Sequence, residues 1–413
     1  MRARRLAAHW LIPVEGAPIE RAALLIASDG RVEALGSDSS VPRPPNVVAE
    51  DFGEAAILPG LINTHTHLEL TGFNNQVQER NFAAWIRRLR ELKTSRTREE
   101  YLNAARAGLQ NCYAAGVTTI ADTGDSGVVA EALVERDGSG IVYQEVFGPH
   151  PSQVRESLTD LRQKVNVLRR FASPRVRIGV SPHAPYTVSG PLFQAVADWA
   201  RLEQIPIAVH IAESSAETEL LAMASGDFAE AWHRREIPDP EPLGTTPVAW
   251  LAKHGVLSER TLCIHAVRVD RADIELLNGS GSAVAHCPLS NRAHGHGDAP
   301  LSALLEAGLR VGLGTDSEVS VGTLDLLADA RAAAALASLS GEEAIDLCTL
   351  GGARALGLES EIGSLRVGKW ADCTVIALSD QGEKDSAVER VLRSSPADVV
   401  MTCIGGKAVY RNR

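Results

Sequence analysis

The sequence predicts an α/β fold: a (β/α)8 barrel with a small β-sandwich domain built from both chain ends. Two observations predict it. Eight apolar, strand-like runs recur through the middle of the chain, and most of the intervals between them have the length and pattern of a helix. Both ends of the chain are instead rich in short strands. We therefore expect residues 1–57 and 366–413 to form the sandwich and residues 58–365 to form the barrel.

The two chain ends show turn signals between apolar stretches. In AALLIASDGRVEALG, Asp29-Gly30 separates two apolar segments, which is typical of a β-hairpin. Near the other end, GSLRVGKWADCTVIAL and ADVVMTCIGGKAVY have the pattern of strands, and the second turns at Gly405-Gly406. These segments predict the strands of the sandwich.

The middle of the chain alternates strand runs with helical patterns such as EEYLNAARAGLQNCYAAG and GPLFQAVADWARLEQ. In a barrel of this kind the carboxyl ends of the strands form the active-site face, so polar residues at those ends should converge. The strand runs are AAILPGLINTH, GVTTIADTG, GIVYQEVFG, RVRIGVSPH, IPIAVHIAE, RTLCIHAV, SAVAHCPLS and LRVGLGTDS. The polar residues at their ends are His65, His67, Asp122, His183, His210, His265, His286 and Asp316.

Composition limits the class of protein. Of 413 residues, 45% are hydrophobic and 23% charged, which is ordinary for a globular protein. The net charge of −11, without a basic block, makes nucleic acid or an anionic membrane an unsuitable partner. The six cysteines are scattered without a CxxC pair, so we expect a cytoplasmic protein rather than a disulfide framework. No apolar segment approaches the ~20 residues of a membrane helix.

Metal-ligand chemistry is concentrated at these strand ends. His65 and His67 are two residues apart, so both can point to the same face of a strand and reach one ion. Each histidine alone could equally be a core residue, and Asp316 alone could cap a helix. Together, three histidines and one carboxylate suit zinc or iron(II) and leave a position for water. The candidates at these strand ends are His65, His67, His210, Glu213, His265 and Asp316.

These motifs resemble the amidohydrolase superfamily, in its cytosine deaminase and chlorohydrolase-like branch. The segments that carry the resemblance are PGLINTHTHLEL, SPHAPYTVS, VHIAES, CIHAVR, HCPLSN and GLGTDS, with IASDGRVEALG and GSLRVGKWADCTVI near the ends. The resemblance implies that Glu213 is the proton shuttle and that His265 orients the hydrolytic water or polarises the leaving group. It also implies that the metal is bound by His65, His67, His210 and Asp316.

One departure indicates a single metal. Binuclear members of the family bridge two metals with a carboxylated lysine at the end of the fourth strand. Here that strand ends in SPHAPYT, and no lysine lies between Lys164 and Lys253. We expect one divalent metal, zinc with iron as the alternative, which among the relatives goes with deamination of a heterocyclic amine. Such a metal lowers the pKa of its water towards ~7. Asp316 then accepts the proton of that water, Glu213 protonates a ring nitrogen, and ammonia leaves.

Residues that contact the substrate are less strongly indicated. His183 in SPHAPYT is a substrate contact by resemblance, or it simply closes the strand. Glu69 can bind a ribose or an amine, or form a surface ion pair. Asn291 can hydrogen-bond the substrate or close a turn, and Asp122 can support the site or cap a helix.

Aromatic residues are only 4% of the chain, so few rings are available to stack on a heterocycle. Phe82, Trp85 and Tyr186 are the candidates, although Phe82 and Trp85 also have the spacing of a helix face that packs on the core. A second HxH pair, His294 and His296, lies in a Gly-rich segment without matching carboxylates, so we interpret it as a substrate-side loop.

The substrate is expected to be a small heterocyclic amine. HTHLEL followed by FAAWI is similar to the aminodeoxyfutalosine deaminases of the alternative menaquinone route, which implies an adenosine-like nucleoside. S-adenosylhomocysteine or methylthioadenosine, guanine and cytosine deamination and triazine dechlorination remain alternatives. A non-catalytic barrel scaffold is a further one, which the complete ligand set disfavours. Relatives are often dimers, but nothing in the sequence identifies an interface patch, so the sequence leaves a homodimer open.

Overall fold

Both ends of the chain build one mostly antiparallel sheet. The structure, a computed structural model, describes residues 2–378 and 386–412. The strands of this sheet are β1 (Arg4–Leu11), β2 (Ile19–Ile26), β3 (Val32–Ser37), β4 (Val48–Asp51) and β5 (Ala55–Pro59) from the first part of the chain, with Cys373–Ala377, Val399–Ile404 and Lys407–Arg411 from the last. The central pairing joins the two ends, because β5 runs antiparallel to the strand Cys373–Ala377.

Eight parallel strands form the second sheet, in chain order around a barrel. They are β6 (Leu61–Thr66), β7 (Val117–Gly124), β8 (Ser139–Val146), β9 (Val176–Pro182), β10 (Ile207–Ile211), β11 (Thr261–His265), β12 (Ala283–His286) and β13 (Arg310–Leu313). A bridge between Thr66 and Asp316 connects the first strand to the residues that follow the last one. The predicted barrel, with a separate sheet from the chain ends, is confirmed. The strands Cys373–Ala377, Val399–Ile404 and Lys407–Arg411 are β14, β15 and β16.

Helices surround the barrel. The helix over Arg98–Ala114, for example, begins with a reciprocal capping box formed by Thr97 and Glu100. The helices are α1 (Phe82–Thr94), α2 (Arg98–Ala114), α3 (Val128–Glu135), α4 (Val154–Leu168), α5 (Gly190–Glu203), α6 (Ser215–Met223), α7 (Gly226–His233), α8 (Pro247–Lys253), α9 (Arg271–Ser280), α10 (Pro288–Ala293), α11 (Leu301–Glu306), α12 (Glu318–Val321), α13 (Leu326–Ala337), α14 (Gly341–Leu347), α15 (Leu350–Leu356) and α16 (Ala387–Arg393). Every helix in the described part of the chain is too short or too polar to cross a bilayer.

The first predicted strand run contributes one strand to each sheet. AAILPGLINTH is divided at Gly60 into β5 of the terminal sheet and β6 of the barrel. A Cβ atom on Gly60 would lie 2.1 Å from Oγ1 of Thr118, so only glycine allows the chain to pass so close to β7. The domain boundaries at 57/58 and 365/366 stay predictions; β5 itself runs on to Pro59.

Apolar residues pack on both faces of the terminal sheet. Leu24 and Ile26 of β2 belong to one cluster, and Ala23 and Leu25 belong to the cluster on the other face. This alternation follows from the two-residue period of a strand. Both predicted hairpins are present, because β2 pairs with β3 and β15 pairs with β16.

Candidate active site

The carboxyl ends of the barrel strands surround a cavity of about 520 Å³. Three residues at or just beyond these ends, Ala212, His265 and Asp316, have left-handed backbone, with φ of 51°, 74° and 59°. This conformation is unfavourable for residues other than glycine, and it is concentrated at functional sites. Here it occurs where β10, β11 and β13 give way to the loops that form the cavity wall.

The four predicted metal ligands form one compact cluster. Oδ1 of Asp316 lies 3.6 Å from Nε2 of His65 and 3.6 Å from Nε2 of His67. Nε2 of His67 in turn lies 3.3 Å from Nε2 of His210. His65 is fully buried, and neither of its ring nitrogens has a hydrogen-bond partner.

Hydrogen bonds to carbonyl groups determine which ring nitrogens of this cluster are free. Nδ1 of His67 donates to the carbonyl oxygen of Thr123 at 2.8 Å, and Nδ1 of His210 donates to that of His183 at 3.1 Å, because a carbonyl oxygen only accepts. The facing Nε2 atoms of the neutral rings therefore both carry lone pairs. Burial lowers the pKa of His67 and His210 well below the ordinary value, which disfavours a proton between them. A bound cation satisfies both nitrogens.

The same cluster fits a divalent metal. Oδ2 of Asp316 accepts hydrogen bonds from Ser290 at 2.6 Å and from Ser320 at 2.9 Å, which leaves Oδ1 towards the histidines. Burial alone would raise the pKa of Asp316, but the close approach and charge of His65 outweigh it and hold that pKa well below the usual range. Three imidazole nitrogens and one carboxylate oxygen are a donor set that zinc accepts.

Glu213 lies beside this cluster. Its Oε1 is 3.5 Å from Nε2 of His265 and 3.4 Å from Nε2 of His296. Burial would raise the pKa of Glu213, but the charge of His265 and the contact with His296 lower it, so the free side chain is a carboxylate. The backbone here is fixed by Glu217, which accepts the N–H groups of Ala212 at 2.8 Å and of Glu213 at 3.0 Å.

Asn291 lies on the side of the His265 ring that faces away from Glu213. Its Oδ1 accepts from Nδ1 of His265 at 2.9 Å, which leaves Nε2 directed towards Glu213. Asn291 is buried and is not among the residues that line the cavity. The structure thus brings Asn291 to the site as a residue that orients His265, and its direct contact with substrate stays a prediction.

His183 and Trp85 both line the cavity, as a substrate-binding role requires. The His183 ring lies 4.7 Å from that of His210, and its Nδ1 is 2.8 Å from Oγ1 of Thr187. Burial lowers the pKa of His183 to about 3, so this ring is neutral. Trp85 stacks on Phe82 with ring centroids 6.1 Å apart.

The Gly-rich segment after β12 packs on the aromatic side chains of the cavity. The His294 ring is 4.7 Å from Trp85, and the His296 ring is 4.5 Å from Phe82. Tyr186, the third aromatic candidate, also lines the cavity. Among the described residues, no group of three potential metal ligands includes His294 or His296.

Glu69 and Asp122 lie outside the cavity lining. Oε1 of Glu69 is 3.0 Å from Nζ of Lys93, and its other oxygen accepts from the backbone and hydroxyl of Ser126. The structure thus places Glu69 in a buried ion pair rather than at the surface. Asp122 accepts from the backbone N–H of Leu68 at 2.7 Å and so holds the turn that follows β6.

Five acidic or basic residues that line the cavity were missed by sequence reasoning: Arg90, Lys93, Asp125, Glu145 and Arg235. Nζ of Lys93 also lies 2.7 Å from Oδ1 of Asp125. Glu145, near the end of β8, is buried with no partner for its Oε1, and burial raises its pKa well above the ordinary value. The position of Glu145 at the end of the third strand run is a signal that could have found it. Lys93 lies on a helix and belongs to no motif.

Comparisons with known proteins agree on one family. The profile of the Amidohydrolase family matches residues 56–409. A 5-methylthioadenosine/S-adenosylhomocysteine deaminase from Syntrophobacter fumaroxidans is 31% identical over 85% of this chain and 77% of its own length. An aminodeoxyfutalosine deaminase from Deinococcus radiodurans is 32% identical over 71% of this chain and 72% of its own. The crystal structure of an adenosine deaminase from Xanthomonas campestris with bound zinc shares the fold, with a TM-score of 0.84 and 23% identity over 98% of this chain and 92% of that one.

Proposed function

The chain belongs to the amidohydrolase family, and we propose that it is a metal-dependent deaminase of an adenosine-like nucleoside. The observation that carries this proposal is the cluster of two facing imidazole Nε2 atoms, 3.3 Å apart, next to Asp316 and Glu213. It combines a cation site with a carboxylate that can exchange protons. Similarity to deaminases of adenine nucleosides supports the substrate class.

The metal would be held by His65, His67, His210 and Asp316. Zinc is the proposed ion, with iron as the alternative, because the donor set suits zinc and a protein of the same fold holds zinc. When bound, such an ion lowers the pKa of a water molecule so that it can act as a nucleophile near neutral pH.

Glu213 is the group that protonates the substrate, and Asp316 accepts the proton of the attacking water. Glu213 starts as a carboxylate, so it takes up a proton before it delivers one to a ring nitrogen of the substrate, which makes the amine-bearing carbon electrophilic. Asp316, kept ionised by His65 and two serine hydroxyls, can accept the proton that the attacking water loses. Nε2 of His265, presented by Asn291, orients that water or the leaving amine.

The cavity size suits a nucleoside, because ligand sites commonly measure about 300–1,000 Å³. Within the adenosine-like class, aminodeoxyfutalosine remains the specific candidate, and with it a place in menaquinone biosynthesis. We expect the protein in the cytoplasm, because all six cysteines are free and buried rather than paired.

Glu213→Gln tests the assignment. The amide keeps the shape of the side chain but cannot carry the proton, so we expect kcat for ammonia release to fall about 10²–10⁴-fold. Because Glu213 is not a proposed ligand, the metal content per chain should stay the same by elemental analysis.

The matched control is Glu203→Gln, which makes the same chemical change on the exposed side of α5, where Glu203 pairs with Arg169. It should keep wild-type activity. A Glu213→Gln protein with a near-wild-type rate would contradict the proposed role.

A further inference from the structure

Two arginines stand at the exposed rim of the cavity. Arg90 lies on α1, the helix that also brings Phe82, Trp85 and Lys93 to the cavity, and Arg235 follows α7. Both arginines line the cavity and both are exposed to solvent. They come from segments that are far apart in the chain and meet only in the folded protein.

Neither arginine has an acidic partner. In the described part of the chain, the side chains of Arg90 and Arg235 form no ion pair and no hydrogen bond. Arginines beside them are paired: Arg88 lies 3.2 Å from Glu91, and Arg234 lies 3.6 Å from Glu230. Other exposed arginines also lack an acidic partner in the described part of the chain, Arg87 among them, but Arg90 and Arg235 are the ones that line the cavity.

The two cations act on each other. Burial, followed by the charge of Arg90, lowers the pKa of Arg235. The two guanidinium groups therefore carry like charges at the same cavity, and neither has an acidic partner.

The other charged side chains of the cavity have partners, apart from Glu145, whose buried Oε1 has none and whose pKa burial raises well above the ordinary value. Lys93 is neutralised by Glu69 at 3.0 Å and by Asp125 at 2.7 Å. Glu213 and Asp316 contact the site histidines. An anion that enters the cavity thus meets only Arg90 and Arg235 as free cations among the described lining residues.

We infer that Arg90 and Arg235 form an anion subsite for the end of the substrate remote from the amine that is lost. This inference rests on the proposed function and narrows it to adenine nucleosides with an acidic tail. Guanidinium groups bind oxyanions through paired, charge-assisted hydrogen bonds. The ligand is a carboxylate or a phosphate group, and uncharged tails leave the arginines unpaired.

A pair of substrates that differ only in tail charge tests the inference. The probes are carboxypropylthio-adenosine and butylthio-adenosine, with adenosine monophosphate as the phosphate arm. We expect Arg90→Ala and Arg235→Ala each to lower kcat/KM for the carboxylate substrate about tenfold or more, mainly through KM. For butylthio-adenosine the change should stay within about twofold.

Arg88→Ala and Arg234→Ala are the matched controls, because they remove an arginine from the same segments but not from the cavity. Both should behave as wild type with all three probes. A loss confined to adenosine monophosphate supports the subsite with phosphate as its ligand. Equal losses for charged and uncharged tails, or no loss at all, overturn the inference.

Binding separates this inference from the proposed function. Calorimetry on the Glu213→Gln protein measures the affinity for the same probes without turnover. If the wild type releases no ammonia but the carboxylate probe still binds more tightly than the butyl probe, and Arg90→Ala abolishes the difference, the subsite stands and deamination fails.

Discussion

At the scale of single residues, the geometry of the site depends on which nitrogen of each histidine ring donates a hydrogen bond. The carbonyl groups of Thr123 and His183 hold His67 and His210 so that their lone pairs face each other. Asn291 sets His265 in the same way from a buried position. The nearest partners of the predicted ligands thus come from strand ends and helix starts that the chain separates widely.

His286 makes a pH-dependent contribution to stability. It ends β12, is fully buried without a partner at either ring nitrogen, and burial lowers its pKa to about 3. The folded protein therefore keeps this ring neutral, while the unfolded chain takes up a proton below its ordinary pKa of 6.5. Stability from this group is present above that pH and is lost as the pH falls towards 3.

The corresponding variant is His286→Gln, which cannot titrate. When the pH is lowered from 7.5 to 5.5, the free energy of unfolding should decrease in both proteins. The decrease should be about 1.4 kcal/mol larger in the wild type than in this variant. Urea unfolding of the chelator-treated proteins measures this difference. An identical pH dependence in His286→Gln and wild type would contradict the account.

At the scale of elements, α1 forms a wall of the cavity, and three of its residues, Phe82, Ala83 and Ile86, also pack against a small buried cluster around Phe228. None of its residues is fully buried, yet side chains at helical spacing, among them Phe82, Trp85, Leu89 and Lys93, line the cavity. The sequence left two roles open for Phe82 and Trp85. Core packing and a ring-stacking surface predict the same spacing, and only the position of the helix over the strand ends distinguishes them.

Trp85→Ala is therefore expected to affect substrate binding more than folding. Loss of one aromatic contact should raise KM for an adenine nucleoside about 3- to 10-fold, with the melting temperature changed by only a few degrees. Arg87→Ala, an exposed position on the same helix, should leave KM unchanged. A large loss of stability with unchanged KM would assign Trp85 to packing instead.

At the scale of the whole molecule, the sequence predicts the architecture well because each barrel strand coincides with a short apolar run that can be recognised without its neighbours. All eight apolar runs contribute a barrel strand, and residues at five of their ends line one cavity: His67, His183, His210, His265 and Asp316. The division of the first run at Gly60 was not predictable, because it depends on the close approach of Thr118 from β7.

The parts of the site that escaped prediction depend on contacts between distant segments. Lys93 is brought to the cavity by α1 and pairs there with Glu69 and Asp125 from two other segments. Ser320 is a local partner four residues after Asp316, whereas Ser290 reaches Asp316 from another helix. The terminal sheet is tied to the barrel in the same manner, since Asp372 pairs with Arg175 and accepts the backbone N–H of Gly405 at 2.7 Å.

The central claim is that this barrel removes the amino group of an adenine nucleoside. The most direct measurement is ammonia release by the zinc-loaded wild-type protein from S-adenosylhomocysteine, methylthioadenosine and aminodeoxyfutalosine, with the purine product followed by its absorbance. We expect at least one of them to yield one equivalent of ammonia per nucleoside consumed. A protein that holds one metal ion per chain but releases no ammonia from any adenine nucleoside would contradict it.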